Sequence, residues 1–115
     1  MDNKELLKHI VDAIEDVKVE NIKIYETKEV NPLFDYAVIA TAKTSRQMNA
    51  VVEHLEKKGV ENGFTIRGIE GVRGGYWALI DLNDVIVNIF IAEERDKYDL
   101  DRRWMHLPQI DSNDL

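Results

Sequence analysis

The sequence predicts a single α/β domain: one mixed sheet of five strands with flanking helices. Three observations carry this prediction. Two stretches repeat apolar residues at helical spacing, five others have strand composition, and the last two strands lie close enough to form a hairpin. At 115 residues, the chain can build one hydrophobic core but not two.

The elements follow in order. Asp2, with Glu5 three residues on, forms a capping box with Asp in place of Ser or Thr. Leu6, Leu7, Ile10, Val11, Ile14 and Val17 recur at helical spacing with charges between them, which predicts an amphipathic helix with one core-facing stripe. Residues 22–25 alternate as a strand covered on one face, and 28–34, containing Asn31-Pro32, read as a loop. Residues 36–42 form a nearly continuous apolar run, as in a central strand covered on both faces. Thr44 and Gln47 then form a second capping box, Met48, Val51, Val52 and Leu55 give the helical stripe, and Gly59 is the expected left-handed stop.

Residues 64–70 read as the third strand and 71–75 as a flexible glycine-rich loop. The runs 76–80 and 85–91 are rich in β-branched and aromatic residues, and a tight turn at Asn83-Asp84 folds them into an antiparallel hairpin. From Glu93 onward the character changes: Tyr98, Leu100 and Trp104 stand isolated among charges. Such a segment is either a packed C-terminal arm or an exposed recognition surface. The domain is expected to span 1–106, and 107–115, with Pro108 and a polar end, to be a disordered tail.

Composition narrows the function. Fifteen basic residues against 22 acidic give a net charge of −7, which argues against sequence-independent binding to nucleic acid and favours a basic protein partner. No run is long enough for a membrane span, the chain opens polar and acidic, and cysteine is absent. Together these predict a cytoplasmic chain without disulfides, thiol chemistry or cysteine-based metal sites.

Catalytic constellations are weak. His9, His54 and His106 fall in separate elements, so no histidine metal site is expected. The loop 71–75 fits neither the dinucleotide nor the Walker phosphate pattern, and it precedes a strand rather than a helix. Asp81 and Asp84 are the most tempting carboxylates, but their spacing of three spans the turn, whereas an Asp-x-Asp pair would share a strand face. Shaping the hairpin is their stronger reading. If Ala78 and Ile80 face the core, Trp77, Leu79 and Asp81 face the other way. Trp77 is then either covered by another element or exposed beside Tyr98, Leu100 and Trp104 as an interface anchor.

These residues resemble a known family. Residues 35–41 followed by Ser45-Arg46-Gln47, Glu70-Gly71, residues 77–87, and Glu94-Arg95 through Tyr98-Asp99-Leu100 to Trp104 are similar in order and spacing to the ribosomal silencing factors, also called Iojap-related proteins. The likeness runs from about Leu6 to Trp104. Asn83 stands where the family pattern usually has Gly, a mild change because Asn tolerates the left-handed turn, and Asn88 stands where it often has His.

The resemblance implies a non-enzymatic translation repressor without cofactors. Such a protein binds the large ribosomal subunit through ribosomal protein L-fourteen and blocks subunit joining. It also implies a fold similar to nucleotidyltransferases without their catalytic acids. Carried over by position, the partner-binding residues would be Arg73, Trp77, Tyr98, Leu100 and Asp101, together with Arg95 and Trp104. The alternatives are a nucleotidyltransferase-like enzyme using Asp81 and Asp84, and a homodimerising module.

Overall fold

A computed structural model describes residues 1–115. Helix α1 (Asn3–Asp16) leads into the antiparallel strands β1 (Glu20–Glu26) and β2 (Tyr36–Ala42), followed by helix α2 (Ser45–Asn62). Strands β3 (Gly68–Glu70), β4 (Trp77–Asp81) and β5 (Val85–Ile91) come next, then the short helices α3 (Ala92–Tyr98) and α4 (Leu100–Trp104), and finally strand β6 (Gln109–Ile110) and a 3₁₀ turn at Ser112–Asp114.

One sheet runs β3-β4-β5-β2-β1-β6. All neighbours are antiparallel except β2 and β5, which pair in parallel at the centre. The sheet is mixed, as expected, but has six strands rather than five.

Both predicted caps form. The Asp2 carboxylate accepts from the Glu5 amide at 2.8 Å, and the Thr44 hydroxyl accepts from the Gln47 amide at 3.1 Å. Gln47 also donates to the Val17 and Lys18 carbonyls at 3.0 and 3.2 Å, tying the start of α2 to the turn after α1. The two helices cover one sheet face. Leu7, Ile10 and Ile14 of α1 and Met48, Val51 and Leu55 of α2 pack with Val38, Ala40, Ala78, Ile80, Val85, Val87 and Ile89 in one buried cluster. Each fully buried aliphatic side chain there contributes about 1.5–3 kcal/mol relative to exposure.

Three boundaries differ from the sequence expectations. Helix α2 passes through Gly59 and stops at Gly63, whose φ of +82° is the left-handed cap. Gly59 serves close packing instead: a Cβ there would lie 2.5 Å from the Phe64 carbonyl oxygen, where the chain folds back. Strand β3 is only three residues long: Phe64 and Ile66, expected within it, precede it and pack against the main core. Residues 107–115, expected to be a disordered tail, close the far edge of the sheet. Gln109 and Ile110 pair with Tyr25 and Ile24, Leu107 is buried, and Leu115 packs on the main core.

Candidate functional site

The opposite sheet face carries the candidate site, and its register is explicit. Across β4 and β5, Trp77 lies opposite Phe90, Leu79 opposite Asn88, and Asp81 opposite Ile86. Across β5 and β2, Phe90 neighbours Thr41, Asn88 neighbours Ile39, and Ile86 neighbours Ala37. The C-terminal arm, α3 with α4, covers part of this face. Trp104 and Leu107 pack on Tyr25, Ala37, Ile39 and Phe90 in a second buried cluster, with Phe34, Trp77 and Leu100 at its border. Leu79 and Ile86 remain half-buried.

Aromatic stacking joins the arm to the hairpin. The Trp77 ring centre lies 4.8 Å from that of Phe90 and 4.7 Å from that of Tyr98, and the latter two are 6.4 Å apart, so a buried and an exposed aromatic both meet Trp77 in one cluster. Tyr98 keeps 49% of its surface in solvent, and the Lys97 ammonium lies 5.7 Å from its ring centre. Each such ring pair is worth about 0.5–1.5 kcal/mol beyond its buried area. Gly71 secures the loop leading into β4: its φ is +82°, and a Cβ there would collide with the Trp77 carbonyl. Arg73 is exposed in that same loop.

Beneath the stack lies an unusual polar residue. Asn88 is 2% exposed, and its Oδ1 accepts from the Trp77 indole N–H at 3.1 Å. An indole N–H can only donate, so the amide must present its oxygen to Trp77. Its Nδ2 is left without a partner. An orphaned buried donor costs about 1–3 kcal/mol.

Arg95 and Asp101 form the second polar feature. The guanidinium binds the carboxylate through two hydrogen bonds, at 2.9 and 3.1 Å. It also donates to the Thr41 hydroxyl at 2.8 Å and the Asn21 carbonyl at 2.6 Å. The Tyr25 hydroxyl donates to Asp101 at 2.7 Å. Burial pushes the Asp101 carboxyl up, but hydrogen bonds from Arg95 and Tyr25 and the Arg95 charge outweigh it and hold the group below its ordinary range. Burial, reinforced by the bond to Asp101, pushes the Tyr25 phenol far above its ordinary range.

The seven residues expected at a recognition surface therefore separate. Trp77 and Tyr98 come together, Leu100 packs at the border of the same buried cluster as Trp77, and Arg73 is exposed in the loop that leads to Trp77. Trp104 does not belong to an exposed surface: it is 8% exposed, with its ring 6.0 Å from that of Tyr25 and 6.4 Å from that of Phe34. Arg95 and Asp101 are likewise turned inward, with side chains only 12% and 29% exposed and their polar atoms paired within the chain. Sequence reasoning missed Phe90 beneath Trp77, Thr41 and the Asn21 carbonyl as partners of Arg95, and Tyr25 as a partner of Asp101. Alternation along β5 could have placed Phe90, but no local signal announces pairings 54 or 74 residues apart.

The acidic pair at the hairpin is committed locally. Asp81 accepts from the Asn83 amide at 2.8 Å and faces Arg67 at 3.7 Å, while Arg67 donates to the Asn83 side chain at 2.9 Å. Asn83 has a φ of +74°, the turn conformation expected for it. No group of three or more His, Cys, Asp or Glu side chains is placed to hold a metal ion, and no helix is long and apolar enough to cross a membrane.

Comparison with known proteins gives a consistent answer. The family described as "Ribosomal silencing factor during starvation" matches residues 1–115. The chain is 33% identical over 111 residues to a ribosomal silencing factor of Halalkalibacterium halodurans, covering 96% of this chain and 95% of that one. It is 30% identical to the Bacillus subtilis silencing factor, with coverage of 96% and 94%. A crystal structure of a Chromobacterium violaceum protein superposes with a TM-score of 0.87 at 32% identity, covering 94% of this chain and 90% of that one. The shared fold, the end-to-end match and these identities show that the chain belongs to the ribosomal silencing factor family, whose role is regulatory rather than enzymatic.

Proposed function

We propose that this chain represses translation in the cytoplasm by docking on the large ribosomal subunit through ribosomal protein L-fourteen. The docked chain would occupy the face that meets the small subunit, so the two subunits could not join. The observation that carries this reading is the tilted Trp77–Tyr98 ring contact: two large aromatics at the edge of a sheet face that the arm covers only in part. Aromatic anchors of this kind supply most of the binding energy in protein interfaces. We place Trp77, Tyr98, Leu100 and Arg73 in the contact, with the half-buried Leu79 and Ile86 beside them. The net charge of −7 suits a basic partner and disfavours direct RNA binding.

The likeness to nucleotidyltransferases belongs to the same proposal, as a fold without its chemistry. Asp81 is engaged by Asn83 and Arg67 rather than held with Asp84 as a metal-binding pair.

A subunit-joining assay on sucrose gradients tests the function. Protein added to free large subunits before small subunits should lower the yield of joined ribosomes, and protein added to preformed ribosomes should do little. Tyr98→Ala should lose the effect. Equal potency in both orders of addition would defeat steric blocking. Light scattering showing that the chain self-associates through the Trp77–Tyr98 face would favour a homodimerising module instead.

A further inference from the structure

We infer that Arg95 is a positioning residue: with Asp101, Tyr25, Thr41 and the Asn21 carbonyl it clasps the arm to the sheet, and thereby sets Tyr98 beside Trp77 and Leu100 at the border of the cluster that Trp77 also borders. The inference rests on the docking surface proposed above for its functional consequence, but not for its geometry.

The geometry is asymmetric in an informative way. Helix α3 has no side-chain cap at its start and no fully buried residue. It meets α4 at Asp99, a non-glycine residue with a φ of +49°. Trp104 packs α4 onto the sheet, but α3 has no such buried side chain, and an isolated helix of its length is marginal in water. Arg95 supplies the missing attachment. Its guanidinium binds Asp101 within the arm, and it also reaches Thr41 on β2 and Asn21 on β1. Tyr25 on β1 completes the circuit by donating to Asp101. One side chain thus links both arm helices to two strands. Tyr98 follows Arg95 by three residues and so lies one helical turn on, while Leu100 directly precedes Asp101.

Charge-assisted, bidentate bonds hold geometry as well as energy. Loosening the clasp should therefore let the arm swing while the helix-covered face stays folded. Tyr25 and Thr41 are the decisive probes. Tyr25 is 2% exposed, and both side chains lie on the sheet under the arm, so neither belongs to the proposed contact. Tyr25→Phe and Thr41→Val each remove one hydroxyl with almost no change of shape.

The test uses the full chain as wild type, Tyr25→Phe, Thr41→Val and Arg95→Lys. Three quantities are read: amide exchange across residues 92–104, the nuclear Overhauser contact between the Trp77 and Tyr98 rings, and affinity for purified large subunits. Exchange in the arm should rise about tenfold in Arg95→Lys and less in the hydroxyl variants, with strands β2 and β5 unchanged. The ring contact should weaken in parallel, and binding should fall in the same order. Thr41→Ser, which keeps the hydroxyl, should restore wild-type behaviour. Unchanged arm exchange, or equal acceleration in the arm and the central strands, overturns the clasp. A loosened arm with undiminished binding overturns its positioning role. Failure of the wild type itself to bind large subunits would defeat the functional proposal and leave the clasp to be decided by exchange and ring contact alone.

Discussion

The two faces of the sheet are built on different principles. Under α1 and α2 the contacts are almost entirely aliphatic: Val38, Val87 and Ile89 meet Leu7, Ile10, Met48 and Leu55 with no polar atom to satisfy. Under the arm the contacts are aromatic and polar: Trp77, Phe90 and Tyr98 cluster, Arg95 and Asp101 pair, and Asn88 leaves a buried donor unused. The first face is covered by two long capped helices, the second by helices of seven and five residues. Both faces bury a cluster, but the second leaves one buried donor unpaired and keeps Trp77 and Tyr98 at its border. A polar network needs every member in place, so the second face is also where small changes should act locally.

The largest expected effects should ignore that division. Trp104→Ala should cost about 3–5 kcal/mol of stability and Ile10→Ala about 2–5, because both residues are buried although they lie on opposite faces. Urea unfolding followed by far-UV circular dichroism measures both. A loss below about 1 kcal/mol for Trp104→Ala would mean that the arm is only loosely applied to the sheet.

Tyr98→Ala should separate the faces. Half its surface is already in solvent, so the stability loss should be modest, while binding to large subunits should weaken by at least about 2 kcal/mol if it is an anchor. Biolayer interferometry beside a thermal melt reads both quantities. A large fall in melting temperature with unchanged affinity would move Tyr98 into the core account.

How much of this was legible in the sequence follows the same division. Aliphatic periodicity in α1 and α2 identifies their core-facing stripes directly, because hydrophobic pattern is the physical cause of that packing, whereas the apolar runs of β4 and β5 mark strands without fixing which face Ala78 and Ile80 take. The arm-covered face has no such pattern. Trp104 stands among arginines and reads equally well as an anchor or as core, and only its contacts with Tyr25 and Phe34 decide. Arg95 and Asp101 have surface composition but internal partners, set by sheet register rather than local spacing. Strand β6 escaped notice because two residues after a proline carry no periodicity. The Gly59 stop failed for a related reason: a glycine needed for close packing looks the same in sequence as one needed for a left-handed cap.

On the arm-covered face, acid should act through Asp101. The Asp101 carboxyl is held below its ordinary range by Arg95 and Tyr25, with Lys23 adding a smaller positive influence. A depressed folded-state pKa contributes stability that is fully present above the unfolded value of about 3.9 and is lost as pH falls through the folded value. Wild type should therefore exceed Asp101→Asn in stability at neutral pH, and the gap should close below about pH 4. Tyr25 has the opposite sign. Its raised pKa gives a contribution present below about pH 10 that is lost as pH rises through the folded value. A gap between wild type and Asp101→Asn that does not change with pH would mean that the clasp works by shape rather than charge.

The smallest effect concerns charge at a distance. Glu94 lies one helical turn before Tyr98 on α3, whereas Glu56 lies on α2, which packs on the opposite sheet face. Glu94→Gln and Glu56→Gln remove the same charge, and each should change stability by no more than about 0.5 kcal/mol. Their effects on docking should differ. A basic partner approaching the arm feels Glu94 at close range, and at physiological ionic strength charges separated by more than about 8 Å are largely screened. Glu94→Gln should therefore slow association with large subunits a few-fold at low salt, with little change in dissociation, and the difference should vanish as salt is raised. Glu56→Gln should leave both rates near wild type. Stopped-flow or interferometric association rates across a salt series measure this directly. Equal slowing by both variants would mean that the net charge of the chain steers the encounter, and that the arm-covered face holds no electrostatic privilege over the helix-covered one.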